Sequence, residues 1–155
     1  MARQRSLLSL VLVLLATFLI SCGGPTVATA PPTYTPTQIE KIQGYLPKIE
    51  AVRDRSDELK ELIQDNNWVN VGNFIHGPMA EARLNMTYII PNLLPQDQPK
   101  ARQVARDMFN HLVQIDQATE SANSLKALSN TKAAFADIDN FLNLLPEAST
   151  SAEAG

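Results

Sequence analysis

The sequence predicts an all-α protein, an antiparallel up-down-up-down four-helix bundle that follows a signal peptide and a tether rich in proline and threonine. Three observations predict this fold. Apolar residues recur at steps of three and four in four stretches after residue 35. No stretch alternates apolar and polar residues as a strand would. The connections between the stretches are short, which favours antiparallel neighbours.

Residues 1–21 have the composition of an export signal. Arg3 and Arg5 precede an apolar run of about 14 residues, and Cys22, the single cysteine, follows it directly. A membrane-spanning helix would need roughly 20 apolar residues, and an ordinary secretory signal would carry this cysteine only by coincidence. We therefore predict a lipoprotein signal, cleavage before Cys22 and attachment of diacylglycerol and an acyl chain such as palmitate, which would anchor the mature protein to a membrane.

The composition limits the classes of function. Removal of residues 1–21 from the 155-residue chain leaves 134 residues, enough for one domain with a hydrophobic core. The chain has 13 basic and 16 acidic residues, and two arginines lie in the signal, so the mature protein has 11 basic and 16 acidic residues. This acidic balance is not that of a nucleic-acid-binding protein. With its cysteine lipidated, the domain has no disulfide.

Three segments make up the mature chain. Residues 22–35 contain three prolines among small residues, a composition typical of an extended, flexible tether. Residues 36–146 contain the predicted bundle. Residues 147–155 are small and polar, and we expect a disordered tail.

The first helix shows the longest apolar stripe. Thr35 or Thr37 can cap its start, with Gln38 or Glu40 as the partner in a capping box. We expect Pro47 to kink this helix rather than end it, because the stripe stays in phase on both sides. The stripe consists of Ile39, Ile42, Leu46, Ile49, Val52, Ser56, Leu59 and Ile63.

Three more helices follow. Asp65–Asn67 breaks the first helix, and a second begins near Trp68, is interrupted at His76–Pro78 and resumes until Pro91. The third starts around Asp97–Pro99. The predicted core residues are Met79, Ala82, Leu84, Met86, Ile89 and Ile90 in the second helix, Val104, Ala105, Met108, Leu112, Ile115 and Thr119 in the third, and Leu125, Leu128, Lys132, Phe135, Ile138, Leu142 and Leu145 in the fourth.

His76 and His111 are the only imidazoles of the chain, and neither lies in a catalytic motif or in a pair with metal-ligand spacing. We interpret His76 as satisfying a broken helix end and His111 as a residue at the core boundary. We predict no catalytic residue, no metal site and no cofactor, while adventitious metal at either histidine stays open.

A more specific alternative function is a bundle that holds haem between a methionine and a histidine. All the histidines and all the mature methionines fall in the second and third helices, whereas exported haem bundles ligate from the first and last. No Cys-x-x-Cys-His motif is present either. We interpret the methionines as core residues.

Lys100, Arg102 and Arg106 form a basic cluster in the third helix, and Lys100 and Arg102 occupy its first turns, where the macrodipole disfavours positive charge. In an acidic protein they are the best candidates for docking on a negatively charged partner, the alternative being a merely solvated cluster. The first helix carries an acidic face that we interpret as solvated. Its members are Asp54, Glu58, Glu61 and Asp65.

Beyond these patterns, the chain resembles the cyanobacterial members of the PsbQ family. The lipoprotein signal carries part of the resemblance, together with four segments: Asn67–Val69, Phe74–Met79, Leu93–Pro95 and Phe141–Pro146. The similarity covers the signal and nearly all of residues 34–146.

The resemblance implies a lipid-anchored four-helix bundle on the lumenal side of the thylakoid membrane, a non-catalytic extrinsic subunit of photosystem II. Such a subunit would dock on a core antenna chlorophyll protein and near the manganese-stabilising subunit. It would support water oxidation and assembly by stabilising the oxygen-evolving complex, including its calcium and chloride requirement. The competing hypothesis is a free periplasmic lipoprotein whose bundle binds haem or metal.

Overall fold

The structure is a computed structural model that describes residues 32–146 and, within that range, contains helices and turns but no strand. The predicted all-α class is confirmed. The predicted signal peptide, Cys22, most of the predicted tether and the predicted tail at residues 147–155 lie outside the described residues. Over the described range, no helix combines the length and the apolar character that crossing a membrane requires.

Four helical stretches, two of them subdivided, form a four-helix bundle around one core. The first stretch comprises α1 (Pro36–Arg53) and α2 (Ser56–Gln64). The second comprises α3 (Trp68–Phe74), a π-helical segment (Ile75–Met79), α4 (Ala80–Ile89) and a 3₁₀ turn (Ile90–Asn92). The third and fourth are α5 (Gln98–Glu120) and α6 (Ser124–Leu142). The main packing pairs are α5 with α6 and α1 with α4.

The start of α1 confirms the capping box and decides between the two threonines. The Gln38 N–H donates to Thr35 Oγ1 at 3.3 Å, and the Thr35 N–H donates to Gln38 Oε1 at 2.9 Å. Pro36 occupies the first turn, where its missing N–H costs nothing. Just before this cap, Tyr34 packs against the core, and its Oη accepts a 3.5 Å hydrogen bond from the Leu94 N–H.

The first helix continues through Pro47 and is broken later, at Asp54 and Arg55. There the Arg55 N–H donates to the Val52 carbonyl, three residues back, at 3.1 Å, which tightens the last turn of α1. The prediction of one helix up to residue 64 is therefore wrong at this point. The apolar stripe nevertheless stays in register, because Val52 before the break and Leu59 after it are both buried.

The predicted interruption at His76–Pro78 is a change of helix type rather than a gap. Pro78 has no N–H and its ring crowds the preceding turn, so a regular α-helix cannot pass through it undisturbed. The chain widens by one residue instead, and the Ala80 N–H donates to the Ile75 carbonyl, five residues earlier. The second helix therefore stays continuous from Trp68 to Ile89.

The core confirms most of the predicted stripe residues and corrects several. Leu84 and Leu125 are 47% and 83% exposed, Lys132 is exposed, and Leu142 is only partly buried. The buried face of α6 instead consists of Ala127, Thr131, Ala134, Phe135, Ile138 and Phe141. Alanines also line the buried face of α5, at Ala101, Ala105 and Ala118. Small residues at the contact let α5 and α6 approach closely, and hydrophobicity alone does not mark them as core.

Two turns meet at one end of the bundle. Asn66, after α2, and Ala122, after α5, both have positive φ, 54° and 49°. The Ser124 hydroxyl at the start of α6 donates to Asn66 Oδ1 at 3.0 Å, which joins the two turns. Asparagine tolerates the left-handed region, whereas alanine is strained there.

Candidate docking surface

The start of α5 carries the three basic residues predicted for docking, and all three are exposed. Arg102 Nη2 donates to Gln98 Oε1 at 2.7 Å, and Arg106 Nη2 donates to Gln103 Oε1 at 2.6 Å. An α-helix turns about 100° per residue, so Arg102 and Arg106 share a face and Lys100 lies on nearly the opposite one. The structure brings two of the three predicted residues together and separates the third.

Arg102 and Arg106 line a groove between the second helix and α5, which we call the basic groove. It consists of two adjacent hollows of about 220 and about 210 Å³ that meet at Arg83 and Phe109. Its residues are Ile75, His76, Ala80, Arg83, Thr87 and Ile90 on one side and Arg102, Ala105, Arg106, Phe109, Leu112, Val113 and Asp116 on the other.

Arg83 and Phe109 form the centre of the basic groove, and sequence reasoning missed both. The Arg83 guanidinium carbon lies 4.8 Å from the centroid of the Phe109 ring, within the range of a cation–π contact. The ring is still 45% exposed. A signal existed for Phe109, because Arg102, Arg106 and Phe109 are separated by four and three residues and so share one helical face. Arg83 had no such signal, since only the folded bundle places it opposite α5.

The positive charge of the basic groove is not neutralised locally. Among residues 32–146, none of the ion pairs involves Arg83, Arg102 or Arg106. The partners of Arg102 and Arg106 are neutral amides. By contrast, Arg55, in the break before α2, forms two hydrogen bonds with the Glu58 carboxylate, at 2.8 and 2.9 Å.

His76 lies at the far end of the basic groove and joins two bundle helices. Its Nε2 is 3.1 Å from Asp116 Oδ1, and its side chain is 70% exposed. The interpretation that His76 satisfies a broken helix end is wrong, because the widened helix does not end there and the imidazole contacts a carboxylate on α5 instead. The Asp116 carboxylate is therefore partnered within the groove.

His111 joins α5 to α6 and lies at the core boundary, as predicted. Its Nδ1 is 2.7 Å from Asp137 Oδ2, and the two side chains are 32% and 14% exposed. Burial raises the pKa of Asp137 above its usual range, and the hydrogen bond with His111 opposes that shift only in part. The pair is a structural link with a pH-dependent contribution to stability.

The methionines lie in the core, as predicted. Met79, Met86 and Met108 are all fully buried, whereas the His76 side chain is at the surface. Over residues 32–146, no three His, Cys, Asp or Glu side chains cluster closely enough to hold a metal ion.

Two comparisons place this bundle among known proteins. The family described as oxygen evolving enhancer protein 3, PsbQ, matches residues 2–146. The chain is also 45% identical over 150 residues to the curated protein CyanoQ of Synechocystis sp. (strain ATCC 27184 / PCC 6803 / Kazusa), an alignment that covers 96% of this chain and 100% of that protein.

Proposed function

Because the chain belongs to the PsbQ family of extrinsic photosystem II subunits, we propose that it is a non-catalytic subunit on the lumenal side of the thylakoid membrane. There it would stabilise the oxygen-evolving complex, with its calcium and chloride requirement, and support water oxidation and assembly. The observation that carries this proposal is the match to both the family and the Synechocystis relative over nearly the whole chain, signal region included.

The contacts of the two histidines support a non-catalytic role. His76 and His111 each hold an aspartate, as the base of a hydrolase would. However, within the described residues neither imidazole forms a hydrogen bond with a serine, threonine or cysteine that could act as a nucleophile. The two pairs instead connect neighbouring helices.

We propose that Arg102 and Arg106 dock on an acidic lumenal surface of photosystem II, formed by a core antenna chlorophyll protein and the manganese-stabilising subunit. Their exposed and locally uncompensated charge supports this role. Lys100 was predicted to join them, but its position on another side of α5 makes it a matched comparison within the same helix.

Reconstitution tests the proposal. Photosystem II depleted of its extrinsic subunits is mixed with wild-type protein, with a double Arg102→Glu and Arg106→Glu variant or with Lys100→Glu, across a salt series. Wild-type protein should bind, restore oxygen evolution at limiting calcium and chloride, and bind more weakly as salt rises, because exposed charges are screened beyond about 8 Å at physiological ionic strength. The double variant should lose binding, since like charges now face each other, and Lys100→Glu should retain it.

Two results would contradict the proposal at different levels. Wild-type protein that neither binds nor restores oxygen evolution would refute the photosystem II function. If the double variant binds as well as wild-type protein at low salt, Arg102 and Arg106 are not part of the interface. The proposed photosystem II function would not be affected by that result.

We also propose that Cys22 carries the lipid anchor. The support is its position directly after the apolar run of the signal. Cys22→Ala should move the protein from the membrane to the soluble fraction when it is expressed in cells that lack photosystem II, a background in which docking cannot hold it on the membrane. Persistence of the variant in those membranes would show that another group anchors it.

A further inference from the structure

The basic groove combines exposed apolar side chains with positive charge that has no local partner. Phe109 and Val113 are large apolar side chains that remain 45% and 36% exposed on α5. Arg83 lines both hollows of the groove, and Arg102 and Arg106 line the hollow that contains Phe109. None of the three arginines has a carboxylate partner in the described chain. Aromatic and arginine side chains are enriched at the centres of protein interfaces, where a ring provides area and a guanidinium provides directed hydrogen bonds.

We infer that the basic groove holds an acidic, amphipathic segment of a partner protein, whose apolar side chain packs between Phe109 and Val113 and whose carboxylates face the three arginines. This inference rests on the proposed docking function and specifies the chemistry of the partner. It also adds Arg83, Phe109 and Val113 to the docking surface.

The dimensions of the groove fit a short piece of chain. The groove follows α5 from Arg102 to Asp116, and the 14 steps between these residues correspond to a length of about 21 Å. An extended segment of roughly six residues covers that distance, as do about four turns of helix. Each of the two hollows is of a size for individual side chains rather than for a domain.

The distribution of charge within the groove sets its orientation. The three arginines lie at the centre and towards the start of α5, whereas Asp116 at the other end already contacts His76 at 3.1 Å. A guanidinium binds a carboxylate with two parallel hydrogen bonds, which fixes geometry as well as adding attraction. The carboxylates of the occupant should therefore lie towards Arg102 and Arg106, with its apolar side chain towards Val113.

Two other occupants fit the observations less well. A flat anionic membrane surface attracts clusters of about four to eight basic residues, whereas here three arginines line a concave groove with an apolar floor. A second copy of this chain could offer its own acidic face, but two of the four carboxylates there are already paired, Asp54 with Arg53 and Glu58 with Arg55.

Paired variants test the groove through the binding of full-length protein to photosystem II depleted of its extrinsic subunits. Phe109→Ser and Arg83→Glu should each weaken binding by at least about tenfold. The matched controls are Leu125→Ser, which removes an apolar side chain that is 83% exposed, and Lys132→Glu, which reverses an exposed charge on α6. Both controls should bind like wild-type protein, and thermal unfolding should confirm that all four variants are folded.

Crosslinking identifies the chemistry of the occupant. A photoreactive side chain is placed at Thr87, an exposed residue of the groove wall, and at Leu125 as the control. The Thr87 probe should attach to a protein segment that carries at least two carboxylates beside an apolar residue, and the Leu125 probe should not attach to that segment. Attachment to lipid, to a second copy of this chain or to a segment without carboxylates would overturn the inference.

The outcomes separate this inference from the function on which it rests. If both groove variants bind as well as wild-type protein, the groove is not the docking site, and the photosystem II function is not contradicted. If wild-type protein does not bind at all, the proposed function fails and the groove assignment fails with it.

Discussion

Truncation of Phe141 to alanine should be among the most damaging single changes to this bundle. Phe141 is fully buried in the last turn of α6 and belongs to the main core cluster. Replacing a buried phenylalanine by alanine removes the transfer free energy of the ring and leaves a cavity that the structure fills only in part. The expected loss is about 3–5 kcal/mol of unfolding free energy, a large share of the roughly 5–15 kcal/mol that holds a domain of this size.

Leu142 provides the matched control, because it is adjacent to Phe141 but only partly buried. The fourth-helix pattern placed Leu142 in the core, which implies a cost of roughly 2–5 kcal/mol for Leu142→Ala. Because part of the Leu142 side chain is already in water, we expect Leu142→Ala to lower the unfolding free energy by only about 1 kcal/mol.

Urea unfolding of the mature protein, followed by the helical circular dichroism signal, measures both variants. The midpoint should fall much further for Phe141→Ala than for Leu142→Ala, with little change in the slope if the unfolded states are alike. Equal losses for the two variants, or a loss below about 1 kcal/mol for Phe141→Ala, would show that the buried face of α6 is assigned to the wrong register.

Four further predictions concern individual contacts. Thr35→Ala should cost about 1 kcal/mol because it removes the cap of α1, whereas Thr37→Ala should cost much less; equal losses in urea unfolding would contradict the cap assignment. Ala122→Gly should raise the unfolding free energy by about 0.5–1 kcal/mol, because Ala122 has φ 49° and glycine adopts that region without strain; a loss of stability would argue against that conformation. Thr131→Val should also stabilise, by about 1 kcal/mol, because the buried Thr131 hydroxyl has no hydrogen-bond partner among residues 32–146, and unchanged stability would indicate a water or a carbonyl partner. Finally, because burial raises the pKa of Asp137 in the folded protein, the folded state binds a proton more readily and Asp137 adds relative stability as the pH falls. The unfolding free energy of wild-type protein relative to that of Asp137→Asn should therefore increase as the pH falls towards the usual range of a carboxyl group, about pH 4, and a decrease there would contradict the raised pKa.

The fold could be predicted from the sequence wherever large apolar residues carried the pattern. The first helix is the best case, since Ile42, Ile49 and Leu59 mark its buried face and all are buried. The buried face of the fourth helix was predicted only in part. Phe135 and Ile138 are buried as predicted, but Ala127 and Ala134 at the contact with α5 were missed, because alanine is only weakly hydrophobic. Including Leu125 in the predicted core also displaced the predicted apolar stripe from the buried face. Leu125 lies in the first turn of α6 and is largely exposed.

The candidate site was predictable only in the part that one helix encodes. Positive charge near the start of α5 stood out because the macrodipole opposes it, and that argument applied equally to Lys100 and Arg102. It could not separate them, because the dipole acts along the helix axis and is the same on every side of it. The neighbouring helix makes the distinction: Arg83 and the Phe109 ring lie beside Arg102 and Arg106 in the groove, and Lys100 is absent from it. The electrostatic argument therefore predicted which turn of α5 carries positive charge. Only the packing of α4 against α5 shows on which face of α5 that charge lies beside an apolar surface. Only that combination can recognise a particular acidic segment rather than negative charge in general.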